Sequence, residues 1–250
     1  MDQLTKYYFN WEILRDTFPL LIRALGIVLE LLVLGLIFSF IFGLILSLMR
    51  LSRFRPIRWI AGAYVDFFRG LPLLLLLTFI YYGLGLVGSR SGLRFLILDP
   101  IPAAVLGLTL CYAAYSSEIF RAGIQSIHHG QMEAARSLGM TYGQSMRYVV
   151  LPQAIKIVVP PLTNELIAMI KDTSLASVIT TPELLFRARE KMGVVANPTP
   201  LTAAAIVYVV FTIPLIRLAA RLETRQGRRR SPVDVSADIA GQLPKGAGPV

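Results

Sequence analysis

Glu165, Lys171 and Asp172 stand inside one otherwise apolar stretch, with Asn164 beside them. A charge at the centre of a bilayer costs at least ~2.5 kcal/mol on insertion scales, so each such residue needs a partner or a water-filled path. On a helix Glu165 and Asp172, seven apart, share a face with Met169, whereas Lys171 points elsewhere. Two roles fit these residue types. One is a structural ion-pair cluster that holds helices together. The other is contact with a zwitterionic solute, whose ammonium suits a carboxylate and whose carboxylate suits a cation or a helix end. Glu118 and Arg121, at i and i+3, are expected to pair locally. Arg69, just before Gly70-Leu71-Pro72, either lines the inner end of a path or snorkels. A structural role is favoured for Glu118, Arg121 and Arg69.

Other constellations carry less chemistry. Gly83, Gly85 and Gly88 match the spacing of a dinucleotide fingerprint, but they follow an apolar helix and no strand-turn-helix unit surrounds them. His128 and His129 are adjacent and point about 100° apart on a helix, so they do not share a metal as an i, i+4 pair would. Asp66 and Asp172 could serve an intramembrane hydrolase only with a supporting motif, and none is present. The lone Cys111 excludes an internal disulfide and any cysteine-based metal framework. No Gly-x4-Gly-Lys-Ser/Thr string occurs, so the chain is expected to hydrolyse no nucleotide itself.

The elements that must position these residues are membrane helices. Of 250 residues, 55% are hydrophobic and 16% charged, and the mean hydropathy is +0.62. Those values exclude a water-surrounded surface as well as a disordered or fibrous chain. The net charge of +10 is dispersed in short segments between apolar blocks. That pattern sets membrane orientation and argues against nucleic acid as a partner.

Five spans are expected, near 24–49, 59–86, 101–120, 157–179 and 201–218. Three are clean. The second is interrupted by Gly70-Leu71-Pro72 and is strongly apolar only over 71–86. The fourth is charged enough to escape a hydropathy scan. Gly35, Ser39, Gly43 and Ser47 recur on one face of the first span and predict close helix packing. Arg50, Arg53, Arg55 and Arg58 in the first connector place it in the cytoplasm, as do Arg121, Arg136, Arg147 and Lys156 against Glu133 in the second. The N-terminus is therefore expected outside and the C-terminus inside, in a multi-pass bacterial inner-membrane protein. Residues 1–23 form an external segment with no removable signal peptide, 24–221 the membrane domain, and 222–250 a disordered basic cytoplasmic tail.

The second cytoplasmic connector, about 128–152, reads as two short helices around Gly139. Met132, Ala135 and Leu138 are expected to share a face of the first, with Glu133 and Arg136 as a local pair. The order Glu133-Ala134-Ala135, then Gly139, then Val149-Val150-Leu151-Pro152 resembles the EAA motif of membrane subunits of bacterial ABC-type importers, with Val149 where the family usually has Ile. The similarity widens to the polar amino acid uptake branch through Phe68-Arg69-Gly70-Leu71-Pro72, Tyr115-Ser116-Ser117-Glu118-Ile119-Phe120-Arg121 and the run from Asn164 to Leu175. It covers about 17–221.

The resemblance implies an all-α polytopic bundle of five transmembrane helices with a cytoplasmic coupling helix, of the type I ABC importer permease kind. It implies a coupling role for Glu133, Ala134, Ala135 and Gly139, and substrate contact for Glu165 and, behind it, Asn164, Lys171 and Asp172. It implies a transport subunit that is not an enzyme and carries no cofactor of its own. ATP and Mg would be used by a partner ATPase subunit. A second permease subunit, identical or paralogous, and an external solute-binding protein would complete the assembly, with a polar amino acid as cargo. The alternative from another class is an ATP-independent secondary transporter or channel, against which the lack of an internal inverted repeat argues.

Overall fold

The computed structural model describes residues 7–227, with the backbone alone for 222–227, and these residues form helices and no strand. Helix α1 spans Trp11–Leu51, 41 residues, about 60 Å of rise against a hydrocarbon core of ~30 Å. The Asn10 side chain caps it, accepting from the N–H groups of Glu12 and Ile13 at 3.1 and 3.2 Å. Residues 11–23 of the expected external segment are thus the first turns of the same helix that crosses the membrane. One face of α1 is buried through Val28, Leu31, Leu32, Gly35, Ser39 and Gly43, while Val33, Ile37, Ile41, Phe42 and Ile45 stay exposed on the other. Exposed apolar side chains in such number require lipid as the surrounding solvent.

The expected 59–86 span is divided. Helix α2 spans Arg55–Gly70 and α3 begins at Leu73, ending at Ser91. Pro72 forces Leu71 into extended backbone (φ −94°, ψ 127°), which stops α2 one residue before it. A π-helical turn, Phe79–Gly83, lies within α3.

Helix α4, Pro100–Gln125, is the centre of the bundle: 61% of its apolar window is buried. Small residues make that possible. A Cβ on Gly43 of α1 would come within 2.9 Å of Ser116 Cβ and 3.1 Å of the Ala113 carbonyl oxygen, so the α1 and α4 backbones touch there. The stripe from Gly35 to Ser47 is buried as the spacing predicts.

Two short helices follow, α5 at His129–Ser137 and α6 at Tyr142–Ser145. A π-helical turn, Met146–Val150, leads into α7 at Leu151–Asp172. A 3-10 helix, Thr173–Ile179, continues α7, so the expected 157–179 span is not a uniform α-helix. Helices α8, Leu184–Val195, and α9, Thr199–Gly227, complete the chain. The fully buried Glu183 caps α8, accepting from Leu185 and Phe186 N–H at 2.9 and 2.7 Å and from the Tyr208 hydroxyl of α9 at 2.9 Å.

Among the described residues, four helices are long and apolar enough to cross a bilayer: α1, α3, α4 and α9 up to Arg221. Helix α7 does not join them on that criterion, because Lys156, Glu165, Lys171 and Asp172 interrupt it. Helix α9 runs on to Gly227, so the first residues of the expected 222–250 tail are helical; 228–250 lie outside the described residues.

Candidate functional site

The break between α2 and α3 faces α4 and α7 across a cavity of about 550 Å³. Arg69, Gly70, Leu71, Pro72 and Leu73 form one wall, Cys111, Tyr112 and Tyr115 of α4 a second, and Glu165, Ala168 and Asp172 of α7 the third. Glu165 and Asp172 reach the same cavity because seven residues make two helical turns.

Each carboxylate is held by a hydroxyl from α4. Ser116 Oγ donates to Glu165 Oε2 at 2.7 Å, and the Tyr112 hydroxyl donates to Asp172 Oδ2 at 2.8 Å. The Arg69 guanidinium stacks over the Tyr115 ring, 5.7 Å from its centre. Among the described residues no carboxylate forms an ion pair with Arg69. The α2/α3 break adds backbone groups to the same wall. The first N–H groups of α3 lack intrahelical partners, and the first bond back to the break is Leu76 N–H to the Pro72 carbonyl at 3.1 Å. A cation, two carboxylates and a helix N-terminus around one cavity can hold a zwitterion.

The four residues expected at the substrate divide. Glu165 and Asp172 line the cavity. Lys171 lies on another face of α7, in a groove of about 330 Å³ with Ser174, Tyr208 and Thr212. Asn164 is exposed outside both, one residue round the helix from Glu165. Arg69, favoured as structural from sequence, lines the cavity instead. Tyr112, Tyr115 and Ser116 escaped notice because nothing in an apolar helix marks a hydroxyl as inward-facing until its neighbour across the bundle is known. The usable signal was the i, i+4 spacing of Tyr112 and Ser116, which puts both hydroxyls on one face of α4.

Glu118 also has a wider role than a local pair. Its Oε2 takes Arg121 at 2.6 Å while Oε1 pairs with Arg50 of α1, which ties the C-terminal ends of α1 and α4. Asp66 does not meet Asp172; it lines a groove along α2 with Arg55, Arg58 and Trp59.

In the 128–152 connector, Glu133 and Ala134 are exposed and Ala135 is buried. Gly139 has φ +86°, the left-handed conformation that ends α5, with its N–H bonded to the Arg136 carbonyl and Met140 N–H to that of Ala135. Thr141 and Gln144 form a capping box that starts α6. The expected shared face of Met132, Ala135 and Leu138 does not form. Leu138 is already beyond the last helical residue (ψ 11°), leaves the helical register and is 85% exposed, whereas Ala135 packs inward. Glu133 and Arg136 do not form the expected ion pair. Gln153 near the start of α7 reaches back to Gln131 of α5 (3.4 Å).

Similarity to known proteins agrees with this architecture. The model of the family described as binding-protein-dependent transport system inner membrane component matches residues 35–228. The probable glutamine ABC transporter permease protein GlnM of Bacillus subtilis is 39% identical over 82% of this chain and 93% of its own length. The arginine transport system permease protein ArtQ of the same organism is 39% identical over 83% of this chain and 92% of its own. A solved structure described as an amino acid ABC transporter with histidines superposes with a TM-score of 0.75 at 38% identity, covering 83% of this chain and 94% of that one. With its apolar helix bundle, its helical connector and these relatives, the chain belongs to the binding-protein-dependent transport system inner membrane components, as the multi-pass permease subunit of an ABC importer.

Proposed function

We propose that this permease carries a polar amino acid inward through the cavity between α2/α3, α4 and α7. The observation that carries this reading is the convergence of Arg69, Glu165 and Asp172 on one cavity among membrane helices. A guanidinium suits an amino acid carboxylate bidentately, and a carboxylate suits its ammonium. The names of GlnM and ArtQ support an amino acid as cargo.

In this reading the chain crosses the membrane five times, with α2/α3 as one broken crossing and α7 as a crossing whose charges face the interior. The N-terminus is outside and the C-terminus in the cytoplasm. Glu133, Ala134, Ala135 and Gly139 form the coupling element that docks on a separate ATPase subunit, which supplies hydrolysis of ATP with Mg. A second permease subunit completes the pathway, and an external binding protein delivers the solute. Closure of the ATPase moves α5; the Met146–Val150 turn and the Gln131–Gln153 contact pass that movement to α7, which carries Glu165 and Asp172. The solute site then alternates between the two sides.

The test is uptake in vesicles containing the permease and its ATPase, with binding protein outside and ATP within. Radiolabelled amino acid should accumulate only when all are present. Accumulation that persists without the ATPase and follows an ion gradient would contradict the proposal.

A further inference from the structure

We infer that α2 carries a second, transient amino acid site through which solute leaves the cavity, with Asp66 for the ammonium and Arg58 for the carboxylate. The inference rests on the cavity being the solute site and on the orientation proposed above. Arg55, Arg58, Gly62, Asp66 and Arg69 follow one another at intervals of three or four residues and form one stripe along α2. Arg69 closes the stripe at the cavity. The other four line a groove of about 760 Å³ that runs back to the start of α2. That start is the Arg-rich end, which the proposed topology puts in the cytoplasm, so the stripe leads from the cavity to the side where solute must emerge.

The stripe suits water and solute rather than lipid. Ile60 and Phe67, seven residues apart on another face of α2, are 59% and 62% exposed and suit hydrocarbon. Asp66 is exposed as well, and among the described residues it forms no ion pair, neither with Arg69 one turn on nor with Arg58 two turns back. A lone carboxylate facing hydrocarbon is costly, and an ionisable residue at membrane depth marks a solute path. Gly62 leaves room beside it. Nothing lies within 4 Å of where a Cβ on Gly62 would stand, so this glycine serves no close helix packing within the chain.

The charges alternate along the stripe: Arg69 positive, Asp66 negative, Arg58 positive. Asp66 stands about 4.5 Å along the axis from Arg69, at 1.5 Å per residue. An amino acid whose carboxylate rests on Arg69 can therefore exchange Glu165 for Asp66 as the partner of its ammonium. Arg58 lies about 12 Å further on, a distance that an extended arginine side chain and the solute head cover together. The carboxylate then passes from Arg69 to Arg58 while Asp66 keeps the ammonium. Each step replaces one charge-assisted hydrogen bond by another and leaves no charge of the solute bare.

Two measurements on the permease–ATPase complex in vesicles test this. In the first, single cysteines at Gly62, Asp66, Ile60 and Phe67, each in a Cys111→Ala background, meet a charged, membrane-impermeant thiol reagent. The cysteines at 62 and 66 should react at least about tenfold faster than those at 60 and 67, because only a hydrated thiol ionises and reacts. Equal rates, or faster reaction at 60 and 67, overturn the inference. In the second, Gly62→Trp should leave binding of a radiolabelled mixture of the protein amino acids unchanged while uptake turnover falls about 100-fold, since release becomes limiting. Asp66→Asn should lower turnover about tenfold, and Asp66→Glu, which keeps the charge, should recover most of it. Unchanged turnover in Gly62→Trp overturns the inference, as does loss of subunit assembly, which would make this face a subunit contact. Failure of the cavity as the solute site shows separately, as full binding by Glu165→Gln and Arg69→Ala.

Discussion

The cavity and the 128–152 connector solve opposite problems with the same helical material. In the cavity, charges sit among apolar helices, and every one of them is held from another helix: Glu165 by Ser116, Asp172 by Tyr112, Arg69 by the Tyr115 ring. In the connector, apart from the Gln153–Gln131 contact, the bonds are local, within a few residues of one another: the Gly139 turn, the Thr141–Gln144 box and the His128 cap on Gly130. The difference teaches that the cavity depends on the packing of the whole bundle, while the connector depends on its own turn geometry. Damage to each should therefore be separable in experiment.

The largest effect is expected in the connector. Gly139→Pro places a residue locked near φ −65° where the backbone needs +86°, and Ala135→Trp forces an indole into a position that is 5% exposed. Uptake should fall to background and the ATPase should no longer copurify, yet solute binding to the permease should persist. Loss of solute binding in both variants would break the separation.

Next, Arg69→Ala removes the only guanidinium of the cavity and should weaken amino acid binding by about 100-fold, with the ATPase still attached. Arg69→Lys should recover only part, because an ammonium lacks the fork that grips a carboxylate. Full binding by Arg69→Ala, measured by equilibrium dialysis, would return Arg69 to a structural role.

A smaller change is Tyr112→Phe, which deletes one hydroxyl donor to Asp172. Affinity for the transported solute should drop about three- to tenfold. Smallest for transport, Glu118→Gln uncouples Arg50 of α1 from Arg121 of α4 at a site away from the cavity. It should lower stability of the purified complex by about 1–2 kcal/mol, visible as a lower melting temperature, with solute affinity unchanged.

Much of the bundle was legible because lipid imposes a simple demand. Apolar runs of sufficient length read directly as α1, α3, α4 and α9. The Gly35–Ser47 stripe announced close packing on one face of α1, because only small residues let two backbones touch; that the partner at Gly43 is α4 came from the structure. What failed was continuity. The Leu71–Pro72 break was visible as a proline within an apolar block, but that it opens a wall of the cavity follows only from where α4 and α7 pass. The period of a helix placed Glu165 and Asp172 together and set Lys171 apart. It could not say that Lys171 belongs to a separate groove, nor that Arg69, far away in sequence, would join the two carboxylates. Leu138 escaped the helical pattern because α5 ends one residue earlier, and turn geometry decides such an end more than periodicity does.

The central claim is that the α2/α3–α4–α7 cavity is where the solute passes. Its most direct test is steady-state uptake by vesicles carrying the Glu165→Gln permease with its ATPase and binding protein, with assembly verified on the same sample. The account predicts a fully assembled complex with a KM raised and turnover lowered for the transported amino acid. An assembled complex with unchanged KM and unchanged turnover would contradict it.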